Sequence, residues 1–281
     1  QKKYDDAVIL FYDSEFGTPQ AYFESFGVNM DQVIHTPITN VEELKFDIMK
    51  QLEGITKDDK VCIVIDSIGN LASKKEVDDA MDGKSVADMS RAKQMKSLFR
   101  MITPHLNLKD IPLVAVNHTY KEIGLYPKDV VSGGTGAYYS ADSIWIIGRQ
   151  QEKVGTEIKG YHFIINIEKS RYVREKSKIP VTVTFEGGIS KWSGLMDVAE
   201  AGGYLVKPNV GWYEAVNPAT GEVLMPAKMR AKEIHDNNEF WLMMFEKTDF
   251  ATYIKNSYTM ANGPMLDDQT NVKIEEVLVD D

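Results

Sequence analysis

Three short stretches pair reactive side chains with apolar runs that could aim them. In Phe11-Tyr12-Asp13-Ser14-Glu15-Phe16-Gly17, Glu15 stands just past an apolar run. There a carboxylate could polarise a water as a general base, although the same residue also fits an ordinary loop acid. In Val61-Cys62-Ile63-Val64-Ile65-Asp66-Ser67 the apolar run ends in Asp-Ser, the Walker B pattern. A strand-tip carboxylate at Asp66 can hold Mg2+ through water beside phosphates, and Asp at this place can equally cap a helix. In Pro112-Leu113-Val114-Ala115-Val116-Asn117-His118-Thr119, His118 could touch a terminal phosphate or serve as a hydrogen-bonded structural histidine. Ser132-Gly133-Gly134-Thr135-Gly136 adds glycines that let backbone N–H groups approach an anion. Gly83-Lys84-Ser85 looks like the end of a phosphate-binding G-x-x-x-x-G-K-[ST] loop. That pattern needs glycine at position 78, which is Asp78, and the acidic Glu76-Val77-Asp78-Asp79 does not form a strand. No other stretch matches.

The elements that must position these residues alternate in type. Ala7–Tyr12 reads as a buried strand, 19–26 as a helix and 33–35 as a short strand. Val41, Leu44, Ile48, Leu52 and Ile55 recur at helical spacing. Val61–Ile65 is the strongest strand signal, followed by a long helix over 88–106 and a strand over 111–117. Residues 120–137 read as a mobile loop. Strands at 143–147, 161–167 and 181–185 follow one another without helices. The chain is thus expected to be α/β, with a mostly parallel sheet flanked by helices and an antiparallel edge. Beyond about Trp192, Lys207-Pro208, Gly211-Trp212-Tyr213 and Asn217-Pro218 mark a small C-terminal subdomain. The expected divisions are 1–190, 191–265 and an acidic tail over 266–281.

With 281 residues the chain can bury a large core, and 43% apolar with 26% charged residues is ordinary for a globular protein. No apolar run reaches the ~18 residues of a membrane span, and the start is not a signal peptide. A lone cysteine, Cys62, fits a reducing cytosol. The net charge of −10 argues against a simple electrostatic DNA binder, but the charge is segregated. Residues 169–178 hold five basic side chains and one acid, while 266–281 hold six acids and one lysine.

Together these stretches resemble the RecA family of DNA strand-exchange ATPases, and within it the UvsX recombinases of T-even-like bacteriophages. The resemblance runs through LFYDSEFG at 10–17, VIDSIGNLASKK at 64–75, MKSLFR at 95–100, Asn117-His118-Thr119 and the Gly133–Gly136 run. It continues in EKSR at 168–171, EKSK at 175–178 and Gly211-Trp212-Tyr213. It implies a RecA-like ATPase core over 1–190 using ATP and Mg2+. By the resemblance, Glu15 activates the attacking water, Asp66 is the metal-binding Walker B aspartate with Ser67 beside it, Tyr22 packs on adenine and His118 senses the γ-phosphate. Lys169 and Arg171 match cations that reach a neighbouring protomer's ATP. Residues near 73–88 and 120–136 match two DNA-holding loops, with Lys74, Lys75, Lys121, Lys128, Gly133, Gly134 and Gly136 as contacts. The implied partners are single-stranded DNA, homologous duplex DNA, further copies in a helical filament, and recombination mediator and single-strand-binding proteins. The implied setting is the cytoplasm of a phage-infected bacterium, without a membrane. The family places a linking segment, a strand and the phosphate-binding loop before LFYDSEFG, where this sequence has nine residues. The chain by itself is therefore expected to hydrolyse little ATP. The alternative is a non-catalytic RecA-fold module that binds a protomer or DNA. A hexameric helicase core is disfavoured by the EKSR and GGTG stretches.

Overall fold

A computed structural model describes residues 1–84, 90–123, 129–154, 157–225 and 227–260. The chain divides into two units, 1–141 and 142–281. The first opens with β1 (Val8–Asp13), α1 (Gln20–Ser25), β2 (Val33–Pro37), α2 (Val41–Gly54), β3 (Val61–Asp66) and α3 (Lys74–Met81). It continues with α4 (Ser90–Leu108), β4 (Leu113–Ala115), β5 (Thr119–Lys121), β6 (Asp129–Val131) and α5 (Thr135–Ser140). Strands β2-β1-β3-β4 form one parallel sheet. Parallel strands need crossovers, and buried crossovers demand apolar residues on strands and helix faces alike. Leu10, Phe11, Tyr12, Ile63 and Ile65 meet that demand from β1 and β3. Val41, Leu44, Ile48 and Leu52 line the inner face of α2, and Met95, Leu98, Phe99 and Ile102 that of α4. Asn40 starts α2 by accepting a hydrogen bond from the Glu43 amide, the standard way to satisfy an orphan N–H.

In the second unit, four antiparallel strands form a sheet of their own, in the order β10-β9-β8-β7. Its members are β7 (Ser143–Val154), β8 (Glu157–Ser170), β9 (Lys178–Thr184) and β10 (Gly188–Ile189). They run longer than the apolar cores at 143–147 and 161–167 announce, because polar residues continue each strand outward into a two-stranded ribbon. A helical part follows with α6 (Leu195–Ala201), β11 (Leu205–Asn209), β12 (Trp212–Ala215), α7 (Ala231–Ile234), α8 (Asn238–Lys247) and α9 (Phe250–Tyr258). Phe240, Trp241, Met244, Phe250 and Tyr204 pack into a second buried core there. No described helix is long and apolar enough to cross a membrane.

Two sequence expectations change. Residues 120–137 are not loop throughout: β5 and β6 pair antiparallel, Tyr120 opposite Val130, and α5 begins at Thr135. The apolar Val130-Val131 supplies a pairing strand that the glycines and polar neighbours mask. Residues 74–81, expected within a loop, form α3, started by the Ser73 hydroxyl accepting from the Glu76 amide. Helix α3 also means that Gly83-Lys84 follows a helix rather than a strand, the wrong context for a phosphate-binding loop.

Candidate functional site

Register brings the site together. Asp13 and Asp66 are direct partners at the last rung of β1 and β3, so both strands end at the same level. Ser14 then bridges the two tips. Its amide donates to the Asp66 carbonyl (2.8 Å), its hydroxyl donates to the Ser67 carbonyl (2.7 Å), and it accepts from the Ser67 amide (2.9 Å). Ser67, buried, donates its own hydroxyl to Glu15 Oε1 at 2.6 Å. His118, just beyond the end of β4 on the other side of β3, puts Nε2 3.7 Å from Glu15 Oε1 and 3.2 Å from Asn70 Oδ1. Glu15, Asp66, Ser67 and His118 thus converge at the carboxyl end of the parallel sheet. The Asp66–Ser67 peptide is cis.

Electrostatics at this point disfavour ionisation of Asp66. Burial raises the Asp66 carboxyl above its ordinary value, the Glu15 and Asp13 carboxylates raise it further, and His118 works in the opposite direction. Among the described residues no three His, Cys, Asp or Glu side chains are grouped to hold a metal ion by themselves, so a hard cation such as Mg2+ at Asp66 would need water and phosphate oxygens for the rest of its shell.

Several supporting residues carry no chemistry that their sequence context singles out. Arg91, on α4, donates to the carbonyls of Ile68 (2.9 Å), Gly69 (2.9 Å) and Leu71 (2.6 Å) and so shapes the segment leaving β3. Read alone, Arg91 is one more cation on a polar helix face. Gly69 lies against His118: a Cβ built there would come 2.1 Å from the ring. Asn117 donates to the Ser132 carbonyl (2.8 Å), and the Ser132 amide donates to the His118 carbonyl (3.0 Å), tying the sheet edge to the glycine run.

The remaining predicted residues are placed as follows. Tyr22 is exposed on α1, edge-on to Phe26 at 5.1 Å. Lys74 and Lys75 occupy the first turn of α3, with Lys75 ion-paired to Asp79. Lys121 pairs with Asp129 at 2.8 Å across the β5–β6 hairpin. Gly133 and Gly134 have positive φ (90° and 77°), which glycine adopts without a Cβ penalty. Gly136 sits in α5, where a Cβ would meet the Lys96 Cα at 2.7 Å. Lys128 lies outside the described residues, as do Ser85 and the acidic tail at 266–281. Lys169 and Arg171 belong to the second unit, at the end of β8 and just beyond it. Buried Ser170 between them accepts from the Tyr172 and Val173 amides (3.1 and 3.0 Å), and Arg171 pairs with Asp142 at 3.0 Å.

A parallel sheet with crossover connections, and with polar and acidic groups gathered beyond its carboxyl ends, defines an α/β protein of the open-sheet class. Residues 1–190 match the RecA N-terminal domain, and residues 192–254 match the domain described as Bacteriophage T4, Recombination and repair protein, C-terminal domain. The chain belongs to the RecA family. It is 48% identical over 262 residues to the "Recombination and repair protein" of Enterobacteria phage T4, covering 92% of this chain and 67% of that protein. It is 22% identical over 272 residues to "Protein RecA" of Bacillus subtilis (strain 168), covering 95% of this chain and 73% of the relative. With "Protein RecA" of Mesomycoplasma hyopneumoniae (strain 7448) it shares 24% identity over 234 residues, 82% of this chain and 66% of the relative. The chain therefore spans about two thirds of the length of these relatives.

Proposed function

We propose that this chain carries the core of an ATP-dependent DNA recombinase that polymerises on single-stranded DNA and promotes homologous pairing and strand exchange. The observation that carries the proposal is the meeting of Glu15, Ser67, Asp66 and His118 at adjacent parallel strand tips. In this reading residues 1–190 are the ATPase core and 191–265 a small accessory subdomain, followed by the acidic tail at 266–281. Asp66 holds Mg2+, Tyr22 packs on adenine, and His118 contacts the terminal phosphate. Bound MgATP supplies a phosphoryl group whose charge the metal has partly neutralised. Glu15 orients the attacking water and accepts its proton. The Ser67 hydroxyl occupies Oε1, which leaves Oε2 to face that water. Lys169 and Arg171 serve a neighbouring protomer's ATP, and Lys74, Lys75, Lys121, Lys128 and the Gly133, Gly134 and Gly136 amides hold the DNA backbone. The 281 residues contain no complete G-x-x-x-x-G-K-[ST] stretch, so by themselves they should turn over little ATP, because a carboxylate cannot act on a phosphate that is not held in place. The alternative reading is a RecA-fold module that binds DNA or a protomer without hydrolysis. Electron microscopy on single-stranded DNA with ATP, together with a strand-exchange assay, separates the two. Helical filaments and exchanged strands from an ATP-binding form of the protein support the first reading. DNA or protomer binding with no turnover in any form supports the second.

A further inference from the structure

Glu15 is gripped from two sides, and only one of them belongs to the nucleotide site described above. On the other side stands Asp13, whose side chain is 3% exposed although it is a carboxylate. A buried carboxylate is tolerable only when hydrogen bonds replace its lost water. Asp13 Oδ1 accepts from the Glu15 amide at 3.0 Å and from the Phe16 amide at 2.8 Å. Its Oδ2 lies 3.1 Å from His35 Nε2. The tautomer that carries its proton on Nε2 makes His35 the donor in this contact, with the carboxylate oxygen accepting. The imidazole is itself held in place. His35 is the β2 partner of Phe11 on β1, and the Phe11 ring meets it edge-on at 5.3 Å while also meeting Phe23 at 4.9 Å.

The segment being held needs holding. Phe16, directly after Glu15, has φ 54°, a left-handed conformation that residues with a Cβ rarely adopt. The two amides accepted by Asp13 Oδ1 are those of this left-handed residue and of Glu15 before it. Without Oδ1, Phe16 would lose a hydrogen bond that holds it in this conformation, and the Glu15 amide would lose the same acceptor.

We infer that Asp13 and His35 form a positioning pair that fixes the Glu15 backbone, and through it the direction in which the Glu15 carboxylate faces the attacking water. His35 acts by orienting Asp13, Asp13 acts by orienting the loop, and neither touches the reacting atoms. The inference rests on the reading of Glu15 as the water-orienting group.

Two measurements test it. In this 281-residue chain, hydrogen exchange of the Glu15 and Phe16 amides reads the positioning directly, without catalysis. His35→Leu, which keeps bulk but removes the donor, should speed exchange at both amides by about tenfold or more. His35→Gln, whose amide N–H can still reach Asp13, should restore most of the protection. In an ATP-hydrolysing form of the protein, His35→Leu should lower kcat roughly tenfold or more with KM for ATP little changed, since displacement of a catalytic group by 1 Å can cost on the order of 10²-fold. His35→Gln should recover most of that kcat. A purely structural role would instead lower the melting temperature without this pattern, so thermal melts accompany each variant. If His35→Leu folds with unchanged exchange at Glu15 and Phe16, the inference is overturned. It is also overturned if Glu15→Gln abolishes turnover while His35→Leu leaves kcat intact. Unchanged turnover in Glu15→Gln would instead overturn the reading of Glu15, and the exchange result would still decide whether the pair holds the loop.

Discussion

Asp66, the residue proposed to hold Mg2+, opposes the fold that presents it once it is ionised. Its carboxyl is raised by burial first and by the Glu15 and Asp13 carboxylates second. The folded protein therefore holds this proton more tightly than the unfolded chain does. Asp66 favours folding at acidic pH and opposes it progressively as pH climbs from the ordinary carboxylate value through its raised one. Asp66→Asn should remove that opposition. At neutral pH and without metal, the variant is expected to be more stable than the parent, by no more than about 0.5 kcal/mol because solvent screens partly exposed charges. In an ATP-binding form of the protein, the proposed role of Asp66 predicts that the same substitution weakens Mg2+-dependent nucleotide binding. Urea melts at pH 4 and pH 7 check this, and a variant less stable than the parent at pH 7 would contradict it. Gly69 makes a second prediction at the same scale. A methyl at Gly69 would have to displace the His118 ring from Asn70. Gly69→Ala should shift the His118 imidazole resonances and cost about 1 kcal/mol, the low end of overpacking, since His118 is partly exposed and can move. Unaltered His118 resonances would show that the ring and Gly69 do not touch.

At the level of elements, what the sequence announces and what it hides follow from one distinction. Val61–Asp66 and Val41–Gly54 are legible because burial on a parallel sheet leaves an uninterrupted apolar run or a clean helical stripe. Glu15, Asp66 and His118 are legible for the same reason: each ends such a run. Helix α3 escapes because none of its residues is buried, so no apolar stripe marks it, and its start depends on the Ser73 hydroxyl. The pairing of β5 with β6 escapes because two three-residue strands carry too few side chains to show a period. His35 and Arg91 escape because their partners are a buried carboxylate and three carbonyls distant in sequence. The placement of α3 has a consequence for DNA. Lys74 and Lys75 stand in the first turn of a helix, and Lys75 is already paired with Asp79. If these lysines neutralise phosphates in a filament-forming version, Lys74→Ala with Lys75→Ala should flatten the log–log salt dependence of single-strand binding by roughly 0.7 for each phosphate no longer neutralised. Sequence preference should not change, because phosphate contacts position without specifying. Affinity and salt slope both equal to the parent's would show that α3 does not touch the DNA.

At the scale of the whole molecule, the proposed cations and the proposed water-orienting carboxylate lie in different units of the chain, Lys169 and Arg171 in one and Glu15 in the other. The segment bearing the cations is built to present them. Ser170 is buried and accepts two amides, the Ser170 amide donates to Glu175 (3.2 Å), and the Arg174 amide donates to the Tyr258 carbonyl at the end of α9 (2.8 Å). Arg171 itself is exposed, and an exposed pair such as Arg171 with Asp142 contributes little stability, so Asp142 can yield it to a stronger partner. A triphosphate on a neighbouring protomer is such a partner, since charge-assisted hydrogen bonds to phosphate are stronger and Arg matches phosphate geometry. If the cations act across protomers, Arg171→Ala or Lys169→Ala in an ATP-hydrolysing form should cut turnover far more than it weakens nucleotide binding by the same protomer. Cations that stabilise transition-state charge in this way contribute on the order of 10³-fold or more. Mixing then becomes decisive. Arg171→Ala protein retains Glu15, and Glu15→Gln protein retains Arg171. In a random co-filament about one interface in four joins an intact Glu15 to an intact neighbouring Arg171, an arrangement that transition-state stabilisation in trans requires. Turnover should therefore rise from near zero in each pure mutant to roughly a quarter of the parent's per interface at an equal mixture, and fall again on either side. A bell-shaped dependence on mixing ratio is the expected result. Turnover that stays near zero at every ratio, with co-filaments verified by electron microscopy, would place the cations in the same protomer as Glu15's nucleotide and remove the trans assignment.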